Sequence, residues 1–82
     1  MRETCLFKYT PQRSVTYDVC LEFLGNPKSE LVQINGARLY RSGKYVGWWP
    51  GWQIPRTLKK HWAHLIEEEL IEVREMIGGD KG

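Results

Sequence analysis

Residues 31 to 66 contain no aspartate or glutamate, yet they hold six of the twelve Lys and Arg residues, both histidines and all four tryptophans. Cations interleaved with aromatic rings are what a surface needs to neutralise phosphates and to stack on unpaired bases. In this stretch Arg38, Arg41, Lys44, Arg56, Lys59 and Lys60 are the candidate phosphate contacts, and Tyr40, Tyr45, Trp49 and Trp52 the candidate ring contacts. The same residue types dominate the centres of protein-binding surfaces. The pattern therefore points to a binding module and leaves two classes of partner open. The sixteen residues that follow reverse the sign, with Glu67, Glu68, Glu69, Glu72, Glu75 and Asp80 against Arg74 and Lys81. A net charge of +2 conceals this separation.

Other chemistry is thinner. Asn35-Gly36, Ser42-Gly43 and Pro50-Gly51 have turn chemistry and lack the spacing of nucleotide-binding glycine loops. His61, His64 and Glu68 fall on one polar side of a helix, one ligand short of a structural zinc site; no metal and no cofactor is expected. Glu69 falls within an apolar helical stripe, where a carboxylate needs a partner or an exit to solvent. No His, Ser or Cys is placed to work with it, and no nucleophile, acid and base come together elsewhere, so no enzymatic activity is expected.

The elements that must carry the basic and aromatic residues follow from periodicity. Phe7 and Tyr9 alternate with Lys8, and Tyr17, Val19, Leu21 and Phe23 alternate with Asp18, Cys20 and Glu22, which predicts strands over 2–9 and 15–24 joined by a Thr-Pro-Gln-Arg-Ser turn. Cys5 then faces inward and Cys20 outward, so both thiols are expected to be free. Asn35-Gly36 is the strongest short hairpin signal in the chain. It predicts strands over 31–34 and 37–41, and Ser42-Gly43 predicts a second hairpin with a strand over 44–49. Centring both turns on these pairs gives an inner set of Val32, Ile34, Ala37, Leu39, Val46 and Trp48. The opposite face then carries Gln33, Arg38, Tyr40, Tyr45 and Trp49.

From 55 to 77 the period becomes helical, with Leu58, Trp62, Leu65, Ile66, Leu70, Val73, Met76 and Ile77 within one stripe and Gly78-Gly79 as a stop. Trp62 is expected to face Trp48 across the core. Arg56, Lys59, Lys60, His61 and His64 crowd the start of this helix, which opposes the helix dipole but suits a bound anion.

These elements give an α+β fold over one small domain, 1–82: an antiparallel β-meander of four to five strands with one C-terminal α-helix packed on one face. One helix covers one face, so the other must meet solvent or a partner. The architecture resembles small single-strand-binding sheets with one terminal helix, without a shared motif. The expected function is nucleic-acid binding, single strands favoured, through the basic and aromatic sheet face and the helix N-terminus. The alternative is a small phage or mobile-element accessory protein that binds and inhibits a host protein complex with the same surface. A homodimer through the open face suits either. No apolar run approaches the roughly 20 residues of a membrane span, and a cytoplasmic location is expected.

Overall fold

Alternation along the second long apolar run builds the centre of the sheet: Val19, Leu21 and Phe23 are fully buried on one side, and Asp18, Cys20 and Glu22 point to the other. The computed structural model of the protein describes residues 1–11 and 15–76. Six strands, Arg2–Thr4 (β1), Phe7–Tyr9 (β2), Tyr17–Leu24 (β3), Gln33–Arg41 (β4), Lys44–Pro50 (β5) and Val73–Glu75 (β6), form one sheet in the order β5-β4-β3-β1-β6, with β2 also paired to β3. Every pairing is antiparallel. A single 3₁₀ turn, Gly51–Gln53, leads from β5 into the helix Arg56–Glu67 (α1). The fold is α+β.

The helix buries Leu58, Trp62 and Ile66, spaced four apart on one stripe, against Val19, Leu21, Phe23, Ala37 and Leu39 of the sheet. Trp62 meets Phe23 rather than Trp48, with ring centroids 5.4 Å apart and tilted. His61 faces β2, its Nε2 3.0 Å from the Lys8 carbonyl oxygen, and the Tyr9 and Thr57 hydroxyls lie 2.6 Å apart. No helix is long and apolar enough to cross a membrane among the described residues.

Four expectations change. The first strand is interrupted at Cys5 and Leu6, so 2–9 becomes β1 and β2; both thiols are free. Asn35-Gly36 makes no hairpin: Gln33–Arg41 is one continuous strand, and Glu22 pairs with Gly36 while Phe23 pairs with Ile34, leaving Asn35 as a bulge. A bulge and a two-residue turn both place Ile34 and Ala37 on the same side, which is why the inner set at these positions survives. Ser42-Gly43 does turn the chain, with φ of 54° and 79° at its two residues. Three residues after Gly43, however, a second bulge at Val46 pairs Leu39 with Gly47 and Arg38 with Trp48. This shift by one residue exchanges the two tryptophans between faces. Trp49 packs against the core and Trp48 points out.

The fourth change is at the helix end. The helix stops at Glu67, not at 77. Three consecutive glutamates at a helix C-terminus oppose the dipole, and the chain leaves through a left-handed Glu69 (φ 56°), with Leu70 N–H donating to Leu65 O at 2.9 Å and Glu69 N–H to Ile66 O at 3.1 Å. Glu69 is therefore an exposed capping residue 3.6 Å from Lys28 Nζ, outside the core. The residues beyond turn back as β6, where Arg2 faces Glu75 and Glu3 faces Arg74. Ile77 and Gly78-Gly79 lie outside the described residues.

Candidate functional site

The sheet face away from the helix divides into two sectors. In the first, Glu3 of β1 and Glu22 of β3 are direct cross-strand partners, 9% and 8% exposed, an arrangement of like charges that needs compensation. Arg38 supplies it from β4. Its Nη2 donates to Glu3 Oε1, and its Nε lies 3.0 Å from Glu22 Oε2 as an ion pair without the alignment of a hydrogen bond. Arg74 Nε donates to Glu3 Oε2 at 3.0 Å, and Asn35 Nδ2 donates to Glu22 Oε1 at 3.3 Å. Nearby, Lys8 pairs with Asp18 at 3.0 Å.

Cys20 sits inside this cluster, its Sγ 3.0 Å from the Thr4 carbonyl oxygen and 3.1 Å from Arg38 Nη2. Burial pushes its thiol up to about 11, with Glu3 adding to the rise and Arg38 opposing it. The sulfur stays protonated at neutral pH and is a weak nucleophile. A cleft of about 290 Å³ opens here, lined by Glu3, Asp18, Cys20, Arg38, Tyr40 and Arg74. Its cations already have carboxylate partners.

The second sector is the β4–β5 margin. Tyr40 and Tyr45 are cross-strand partners in an edge-to-face pair, centroids 5.8 Å apart. Arg41 and Lys44 flank the turn beside them, both exposed. Along β5 and the 3₁₀ turn, three rings stand in solvent: Tyr45 is 59% exposed, Trp48 44% and Trp52 81%. Arg56 follows Trp52 by four residues and is exposed, as is Lys60. Among the described residues no carboxylate forms an ion pair with Arg41, Lys44, Arg56, Lys59 or Lys60. β5 is also an edge strand, and it carries Lys44 at its start, a bulge at Val46 and Pro50 at its end. Each of these features discourages another strand from adding to the edge. Contact along this margin therefore falls to side chains.

Compared with protein-family models, with curated proteins and with solved structures, the chain matches none.

Of the residues picked from the sequence, Tyr40, Arg41, Lys44 and Tyr45 come together at the hairpin, Trp52 stands in the 3₁₀ turn after β5, and Arg56 opens the helix on the opposite side of the sheet. Lys60 lies further along the helix. Lys59 borders a different cleft, about 370 Å³, between residues 27–30 and the helix, in the company of Glu30 and Glu67. Two selections are corrected. Arg38 is engaged by Glu3 and Glu22 and has no free fork for a phosphate, and Trp49 faces the core. The residue that sequence reasoning missed is Trp48. Its one visible signal was Gly47, which offers no side chain to either face and so permits either register.

Proposed function

We propose that the protein is a non-enzymatic binding module whose ligand is nucleic acid, single strands in preference to duplex, held along the β4–β5 margin. Arg41, Lys44, Arg56 and Lys60 meet phosphates; Tyr40, Tyr45, Trp48 and Trp52 meet bases. The observation that carries this reading is the coincidence of three exposed rings with cations that have no carboxylate partner among the described residues, on an edge that resists strand addition. Rings have a face for every base, so such a site tolerates sequence and depends on ionic strength. A cytoplasmic location fits this role.

One observation favours a second reading, an accessory protein that inhibits a host protein complex: Val46 is 51% exposed beside Trp48, which adds aliphatic area to the margin. Fluorescence anisotropy of a labelled single-stranded oligodeoxynucleotide separates the two. Four phosphate contacts give a log–log salt slope of about −3, roughly a 50-fold loss of affinity between about 50 and about 200 mM salt. Tyr40→Ala with Tyr45→Ala costs about 1 to 3 kcal/mol for each base that stacks there. Absence of binding at low salt refutes the nucleic-acid reading.

A further inference from the structure

Gly36 lies in the middle of β4 with a φ outside the left-handed region, so its backbone conformation does not require glycine. Its close neighbour is Trp48. A Cβ placed on Gly36 would lie 2.5 Å from Cζ2 and 2.6 Å from Cε2 and Nε1 of the Trp48 indole, closer than real Cβ atoms approach. The indole thus crosses diagonally from its direct partner Arg38 and rests over the bare backbone of Gly36. With one side against the sheet, the ring remains 44% exposed, and its exposure lies on the face away from the helix. A ring seated in this way loses little rotamer freedom when a ligand arrives.

The Asn35 bulge lies directly before this position: Glu22 pairs with Gly36 and Phe23 with Ile34, so Ile34 turns to the helix side while Gly36 lies on the opposite face. Asn35 is itself held by its bond to Glu22.

We infer that Gly36 is the seat of a preformed stacking platform, Trp48, that takes one unpaired base. This rests on the nucleic-acid reading and deepens it, because a base inside a duplex has no free face to offer the ring. Gly36 is a positioning residue: it touches no ligand and acts through the indole.

The test measures anisotropy and tryptophan quenching with a fluorescein-labelled single-stranded oligodeoxynucleotide and with the same strand annealed to its complement. Wild type binds the single strand more tightly than the duplex. Gly36→Ala weakens single-strand binding by roughly 5- to 150-fold, the range spanned by one stacked base, with the far-UV circular dichroism of wild type. Trp48→Ala, an exposed position that leaves the core intact, gives the same loss if Gly36→Ala does not fold. Trp48→Phe retains most of the affinity and loses most of the quenching, which a purely structural role for Trp48 does not explain. Single-strand binding that is unchanged in Gly36→Ala and Trp48→Ala, or duplex binding as tight as single-strand binding, overturns the platform and leaves the general reading standing. Absence of any binding by wild type overturns both.

Discussion

Arg38 and Arg41 lie three residues apart on one strand and are used in opposite ways. Arg38 faces two carboxylates that are almost buried, and its role is to make a crowded part of the sheet stable. Arg41 stands at a hairpin tip with no carboxylate partner among the described residues. The same contrast holds for the sectors around them. Where β1, β3, β4 and β6 meet, each charge has an opposite charge beside it; along β5 the cations and rings remain unspent. A positive side chain near a candidate site is thus informative only after its neighbours are known. Composition counts Arg38 and Arg41 equally, and geometry separates them.

The sharpest way to break this contrast is to remove Arg38. Arg38→Ala leaves Glu3 and Glu22 facing each other with only Arg74 to compensate. Breaking a fully buried pair costs about 3 to 5 kcal/mol; because this pair is partly solvated, a loss of about 2 to 3 kcal/mol is expected in urea denaturation. Oligonucleotide affinity of the folded fraction should stay unchanged, and a parallel loss of affinity would merge the two sectors.

The next effect in size concerns Cys20. Its folded thiol titrates at about 11, above its ordinary value of 9.0. A folded pKa raised in this way means that the folded state holds its proton more firmly. The associated stability is complete below pH 9 and is lost as pH rises toward 11, by an amount on the order of 2 kcal/mol. Denaturation midpoints measured across that window should fall for wild type and fall less for Cys20→Ala. Cys5, in the break between β1 and β2, should react with iodoacetamide well before Cys20.

The smallest stability effect belongs to the margin. Arg41→Ala with Lys44→Ala should change folding stability by less than about 0.5 kcal/mol and reduce the magnitude of the salt slope of single-strand binding by about 1.4. A large stability loss here would mean that these cations are structural, like Arg38.

Much of this arrangement was legible in the sequence. The alternation of β3, the Ser42-Gly43 turn and the Leu58, Trp62, Ile66 stripe each had one consistent reading. The failures share a cause. Ile34 and Ala37 are three apart, and both a two-residue turn and a one-residue bulge bring them to the same face; local pattern cannot separate the two. Only the eight residues of β3 decide, because they require a partner longer than 37–41. Val46 repeats the ambiguity and moves Trp48 from the core to the surface. The segment after Glu67 failed differently. Leu70, Val73 and Met76 continue a helical stripe, but Ile71 and Val73 also alternate as a strand, and the opposite charges of Arg2 and Glu3 on β1 select the strand. For the candidate site, the acid-free stretch pointed to the β4–β5 margin, while the withdrawal of Arg38 depended on Glu3, a residue 35 positions away.

The most direct measurement is a ¹⁵N–¹H correlation spectrum of the protein titrated with an unlabelled single-stranded oligodeoxynucleotide. The expected outcome is progressive shifts of the amides of 40–49, 51 and 52, of Arg56 and Lys60, and of the indole N–H signals of Trp48 and Trp52, with those of Glu3, Asp18, Glu22 and Arg74 unmoved. Shifts centred on β1 and β6, or a spectrum unaltered at low salt, would contradict it.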